Sequence, residues 1–287
     1  MVTARVLRPV PTRRVSFADS VTALPRYFAG DGDLLMSHMF AALSGVFPDG
    51  EEFFVRSVRH YRDEITDPDL RKQIAGFIGQ EAIHGREHRQ LNDHLATLGY
   101  PTKQIERFTE RELKFRERHL SAASNLAATA ALEHFTATLA EVILSSERAR
   151  ELIGAQEILD VLLWHALEES EHKAVAFDVY KEVGGSERTR TWTMNLICFS
   201  FIGGMSLQVI FGAMFDRETY RRGKLRASLR RLRKNPFLKR SVWHRLRDYN
   251  RVDFHPDDHD TDALLDEWRE RLFGTDGTLN DRLLKSA

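Results

Sequence analysis

With 287 residues the chain is long enough to bury one substantial core plus peripheral elements, so one domain with extensions is expected. Lysine plus arginine and aspartate plus glutamate balance at 42 each, and no global charge argues for nucleic acid as a partner. The single cysteine, Cys198, excludes an internal disulfide framework and a multi-thiolate metal site. Arg5, Arg13 and Arg14 sit among prolines with no apolar run behind them, which does not read as a secretory signal; a cytoplasmic location is expected.

Long runs with helical periodicity dominate and strand-like alternation is absent, so the fold class is all-α. Residues up to about Tyr27 read as an extended arm. Asp33 is placed to cap a short apolar helix, Leu34 to Leu43, which Gly45 and Pro48 would end. Asp49 would then start the first long helix, with Glu52 as capping-box partner, running to Asp67-Pro68. A second helix spans Asp69 to about Leu98 and stops at Gly99-Tyr100-Pro101. The polar stretch Thr102 to His119 connects to a third bundle helix, Ser121 to Leu144. A fourth is expected from about Gly154 to Val183, ended by Gly184-Gly185. The domain reading is therefore an N-terminal arm and short helix (1–45), a helical metal-binding domain (46–215) and a basic C-terminal helical extension (216–287).

Two of these helices carry the same chemistry. The second holds Glu81 and His84, the fourth Glu169 and His172, each as Glu-x-x-His. Positions i and i+3 share a helix face, so carboxylate and imidazole can grip one cation together. Two such pairs plus one glutamate from each remaining helix make the donor set of a carboxylate-bridged dinuclear site in a four-helix bundle. On the third helix Glu133 sits among Thr129, Ala130, Thr136 and Ala137, a small apolar face where a carboxylate is costly unless paired or ligating. On the first, Glu51 shares a face with Phe54, Val55 and Val58, whereas Glu52 shares one with Arg56 and Arg59; Glu51 is the candidate. His165 lies on the face of Glu169 and His172 and is a candidate third imidazole, with a packing role as the alternative. His88, one turn beyond His84, reads rather as a histidine supporting the site.

The pattern His-x-x-x-Glu-x-x-His over His165, Glu169 and His172 resembles di-iron arylamine N-oxygenases of the p-aminobenzoate type. The stretches Phe47-Pro48-Asp49-Gly50-Glu51-Glu52-Phe53-Phe54, Phe77-Ile78-Gly79-Gln80-Glu81-Ala82-Ile83-His84 and Trp164 to Lys173 resemble a bacterial family described as predicted metal-dependent hydrolases. That resemblance runs from about Phe47 through Phe254-His255-Pro256-Asp257-Asp258. It implies a ferritin-like four-helix bundle and metal dependence. A carboxylate-rich site with two or three imidazoles and no cysteine suits non-haem iron or manganese. The expected cofactors are thus two iron ions, or manganese, with O2 as co-substrate. The expected activity is an oxidase or oxygenase acting on a small, mostly apolar molecule against the alanine-rich face of the third helix. The alternative is a metal-dependent hydrolase.

His255, Asp257, Asp258, His259 and Asp260 read as turn and capping residues rather than ligands. Trp192 to Phe215 is long enough to span a bilayer, but its glycines, Asn195 and Gln208 favour a buried helix covering the bundle. The basic run Arg217 to Arg240 could rest on anionic lipid, with a solvated helix face as the alternative and nucleic acid third, and homodimerisation is compatible with all of this.

Overall fold

The computed structural model describes residues 8–284. Its elements are α1 (Leu34–Tyr61), α2 (Pro68–Thr97), α3 (Thr102–His119), α4 (Ala122–Ser145), α5 (Glu147–Ile153), α6 (Gln156–His172), α7 (Val175–Glu182), α8 (Glu187–Met214), α9 (Lys224–Leu232), α10 (Arg240–Asp248) and α11 (Asp262–Phe273). Among the described residues no strand forms; Val15 and Leu283 make an isolated antiparallel bridge. The fold is all-α, and α1, α2, α4 and α6 make the bundle that positions the site.

Where helices begin, the capping chemistry is local. Asp33 accepts from the Met36 amide at 3.0 Å, Asp67 from the Asp69 amide at 2.8 Å with Pro68 at the first helical position, and Ser121 from the Ser124 amide at 3.2 Å. Each satisfies an amide that a helix start leaves unpaired.

The expected break at Pro48 does not occur. α1 runs unbroken for 28 residues from Leu34, so Glu51 lies deep in a helix rather than at its start, and the expected boundary at 45/46 falls inside it. A proline in a helix interior removes the hydrogen bond to the carbonyl four residues back and usually costs about 3 kcal/mol. Here that carbonyl belongs to Ser44, and the Asn92 side chain of α2 donates to it at 3.0 Å. Tertiary structure supplies the lost bond. Nor is the arm a separate layer: Val15, Phe17 and Val21 are buried in the core, and Ser16 donates its amide to the Arg282 carbonyl at 3.0 Å.

The expected fourth helix is two. α6 stops at His172 and α7 resumes at Val175. Ser170 hydroxyl back-bonds to the Ala166 carbonyl at 2.8 Å, a contact that bends helices. Lys173 is drawn toward the C-terminal segment, donating to the His259 carbonyl at 2.6 Å.

α8 differs most from expectation. It is long and apolar enough to cross a membrane by length and composition, yet it is not buried: only 6% of its most apolar window is covered. One face rests on α4 and α1 while the other faces outward.

The apolar core has two parts. One gathers Phe17, Leu91, Leu95, Trp164 and Trp268; the other gathers Phe53, Phe77, Leu126, Ala130, Phe177 and Tyr180. Ala127, Ala128, Ala130 and Ala131 of α4 lie wholly within the second, so the alanine face expected to seat a substrate is filled by neighbouring helices. The small side chains let α4 pack against α1, α6, α7 and α8 together.

Candidate metal centre

Trp164 of the first core part touches the His84 ring, with centroids 4.8 Å apart. Phe77 of the second touches His172 at 5.0 Å. Between these contacts lies a buried group of charge-bearing side chains from the bundle helices: Glu51 from α1, Glu81 and His84 from α2, Glu133 from α4, and His165, Glu169 and His172 from α6. All seven sequence candidates converge here. Glu51 is 1% exposed. Glu52, 57% exposed, points to solvent and pairs with Arg89 at 2.7 Å. Gly85 gives this packing room, because a Cβ there would stand 3.3 Å from Glu51 Oε2. The two histidines and three aspartates of 255–260 do not join: His255 and Asp258 form a capping box on the turn Pro256–Asp258.

Each of the three imidazoles has one nitrogen held from outside and the other aimed inward. His84 donates Nε2–H to Glu168 Oε2 at 2.9 Å, leaving Nδ1 to face Glu169 Oε1 at 3.6 Å and Glu81 Oε1 at 4.0 Å. His172 donates Nδ1–H to the Gln80 carbonyl oxygen at 2.8 Å. Its Nε2 then faces Glu81 at 3.0 Å, Glu133 at 3.2 Å and Glu169 at 3.5 Å. Gln80 is itself oriented, since its amide donates to Glu171 Oε2 at 3.0 Å and to the Pro11 carbonyl at 3.0 Å.

For His165 the tautomer is set by a chain of donors. Asn92 Nδ2 donates to the Ser44 carbonyl and to Glu106 Oε1, so Oδ1 is the acceptor for the Ser44 hydroxyl at 2.7 Å. With its only proton so placed, Ser44 Oγ accepts from His88 Nδ1–H at 2.9 Å. His88 Nε2 then accepts from His165 Nδ1–H at 2.7 Å. The lone pair of His165 Nε2 is therefore turned toward Glu169 Oε1 at 3.0 Å and Glu51 Oε1 at 3.6 Å. Acceptors facing one another at such distances call for a cation between them. His165 groups with His84 and Glu51, on the side away from Glu133 and His172, rather than with the His172 position to which helical spacing alone assigns it.

The donor atoms themselves are unsatisfied. Both oxygens of Glu51, Glu81 and Glu133, together with His84 Nδ1 and His172 Nε2, are buried without an aligned hydrogen-bond partner among the described residues. Buried polar atoms are otherwise almost always paired, because leaving one unpaired costs about 1–3 kcal/mol and more for a charge. Such convergence of carboxylate and imidazole donors fits divalent metal ions, and three overlapping groups of three could each hold one: Glu51-Glu81-His84, His84-His165-Glu169 and Glu81-Glu133-His172; in a fourth grouping, Glu51-His88-His165, both His88 nitrogens are already bonded.

Electrostatics point the same way. Burial pushes Glu133 up to about 7 and Glu81 up to about 8, and burial beside Glu81 and Glu169 raises Glu51 well above the carboxylate range. Burial opposes charge on Glu169 as well, but the adjoining imidazoles of His165 and His172 hold it well below that range. On His172 burial is outweighed by Glu133 and Glu169, which raise it well above the imidazole range. Burial and the neighbouring His165 lower both His84 and His88, keeping them neutral. A neutral imidazole beside carboxylates is the protonation state a metal ion takes.

Sequence reasoning missed the outer layer. Arg13, from the arm, bonds Glu168 at 3.0 Å and Glu171 at 2.7 Å, and Arg269 of α11 reaches Glu171 at 2.7 Å. Thr136 donates its hydroxyl to Glu169 Oε2, which leaves Oε1 for the centre. Gln80 and Glu168 carried a faint signal as polar neighbours of the two Glu-x-x-His pairs. Arg13 carried none. A cleft of about 580 Å³ between α1 and α2 reaches Glu81 and Gly85, and its rim carries Arg56, Arg59, Arg86 and Arg89 against Glu52 and Asp93.

No curated protein and no solved structure matches the chain significantly. Residues 11–260, however, match the family model described as predicted metal-dependent hydrolase. With most of its length and the whole buried donor cluster inside that match, the chain belongs to the predicted metal-dependent hydrolase family.

Proposed function

We propose that this chain is a dinuclear metalloenzyme that hydrolyses a small polar substrate. The observation that carries the reading is the set of inward-facing, hydrogen-bond-free donor atoms on Glu51, Glu81, Glu133, His84 and His172. Glu51, His84 and His165 would hold one divalent ion and Glu133 and His172 the other, with Glu81 and Glu169 reaching both. Paired divalent ions supply a water of lowered pKa and polarise a substrate oxygen. Iron or manganese fits a donor set of carboxylates and imidazoles without thiolate.

The chain's own residues do the rest. Glu168, Gln80 and His88 hold the outer nitrogens of His84, His172 and His165, so the inner ones cannot rotate away. Thr136 fixes the rotation of the Glu169 carboxylate. Phe47 covers His88 and His165 at ring distances of 4.6 and 4.8 Å and keeps water from that side. The arginines at the cleft rim would attract and orient a substrate bearing carboxylate or phosphate.

A second reading is O2 activation in the manner of ferritin-like di-iron proteins. It is favoured by one observation, the order Glu, Glu-x-x-His, Glu, Glu-x-x-His on α1, α2, α4 and α6 with every donor buried. Two assays separate the readings. Zinc- or manganese-loaded protein under nitrogen should hydrolyse a panel of ester, amide and phosphoester substrates if the hydrolytic reading holds. Absence of any such turnover, with rapid O2 consumption by ferrous protein on mixing with air, would reverse the order of the two.

A further inference from the structure

Between Thr191 and Phe215 no residue is charged. On α8 the outward positions Trp192, Leu196, Phe199, Leu207, Ile210, Phe211 and Met214 recur at helical spacing and form one stripe. Phe199 is 81% exposed and Phe215, just past the helix, 84%. A contiguous apolar surface of this kind is rare on a soluble monomer and marks a contact face. A helix of 28 residues is about 42 Å long, so the stripe runs across one side of the molecule.

α8 is also fixed in place. At its start Arg190, fully buried, donates to the carbonyls of Tyr249 and Arg251, the latter at 2.7 Å. Just beyond its end Asp216 accepts from Tyr27 Oη at 2.7 Å and Arg26 at 3.1 Å, and bonds His38 Nε2 at 3.1 Å. Along its length Phe201 packs on Phe135 at 4.9 Å. A helix held at both ends and along one face is placed to lie in the plane of a bilayer rather than across it.

The segment just C-terminal to the stripe identifies its occupant. From Arg217 to Arg240 the chain has eleven lysines and arginines and one acid, Glu218. Arg217, Arg221, Arg222, Lys224, Arg226 and Arg230 are exposed beside the aromatic end of the stripe. Apolar surface bordered by a strong cationic excess complements an anionic lipid surface, the acyl boundary taking the rings and the headgroups taking the charges. A homodimer through α8 would leave the cationic segment unaccounted for.

We propose that the outer face of α8 and the basic segment 217–240 dock the protein, flat and peripherally, on an anionic phospholipid bilayer. Sedimentation of the full chain with phosphatidylcholine vesicles, with and without phosphatidylserine, tests this. Binding is expected only to the vesicles with phosphatidylserine and should weaken several-fold when salt is raised. Combined Phe199→Ser, Phe211→Ser and Phe215→Ser should lower that affinity about tenfold or more. Arg221→Gln with Arg222→Gln should lower it several-fold at low salt and less at high salt. These side chains are exposed, so circular dichroism should show the same fold in all variants. Failure to bind anionic vesicles, or binding that the phenylalanine variant leaves unchanged, would overturn the proposal. So would a dimer that the same variant dissociates in protein without vesicle affinity.

Discussion

His165 Nδ1 lies 2.7 Å from His88 Nε2, and the bond between them makes His165 an inward-facing acceptor. Behind His88 stand Ser44 and Asn92, and Asn92 also satisfies the carbonyl that Pro48 leaves without a partner in α1. The continuity of one bundle helix past its proline and the tautomer of a candidate ligand on another thus share a single amide side chain. Glu51, three residues past Pro48 on that same helix, is positioned by the same arrangement.

His88→Phe fills the space but removes the acceptor for His165 Nδ1–H. Metal affinity at one of the two positions should fall about 10–100-fold with the fold retained, as expected when the partner of a ligating imidazole is lost. Titration of metal-free protein followed by calorimetry measures it. Affinity equal to the parent at both positions would show that His165 does not depend on His88. His165→Phe and His165→Ala should behave alike, each losing one metal; recovery by Phe of what Ala loses would instead mark His165 as a packing residue.

Arg13 ties the arm to the carboxylates behind the centre, 12% exposed and bonded to both Glu168 and Glu171. Arg13→Gln removes a partner from two buried carboxylates; breaking a buried pair costs about 3–5 kcal/mol, eased here because Glu168, pushed up to about 8 by burial, can take a proton. Retention of Arg269 on Glu171 should place the loss toward the lower figure. Denaturant unfolding at neutral pH reads it directly, and a change below about 1 kcal/mol, the scale of an exposed pair, would show that Arg13 carries little of that charge.

Protons would compete with a metal ion for this cluster. In metal-free protein Glu133 and Glu81 titrate at about 7 and about 8 instead of near 4.5, and His172 is raised as well. Above about pH 6.5 most histidines are neutral in the unfolded chain, so in this range the native state holds more protons than the unfolded one. The stability of metal-free protein should therefore decline as pH rises from about 6.5 to about 8, and metal should abolish the decline. Thermal unfolding across that range, with and without metal, checks it. Stability that rises over the window in metal-free protein would mean that the carboxylates are already ionised.

The buried donor cluster was legible because it obeys local geometry. Glu-x-x-His on one helix face needs only the helical repeat, and the apolar neighbours of Glu51 and Glu133 separate them from solvent-facing carboxylates such as Glu52. Family membership, too, lay in those motifs. Pro48 misled because propensity is a local quantity, whereas the bond that rescues the helix comes from Asn92, 44 residues further on. Arg13, Arg269 and Thr136 were invisible for the same reason, being brought to Glu171 and Glu169 by the packing of distant segments. α8 misled differently: apolar composition cannot distinguish a helix buried on all sides from one that keeps an apolar face outward.

Elemental analysis of the purified, metal-reconstituted chain beside Glu81→Ala and Glu169→Ala tests the central claim most directly. These two carboxylates reach both halves of the centre, so each variant should keep its helical content while losing most of its metal, against two ions per chain in the parent. Two ions retained in either variant, or a parent that binds none after reconstitution with iron, manganese or zinc, would contradict a dinuclear centre at this position.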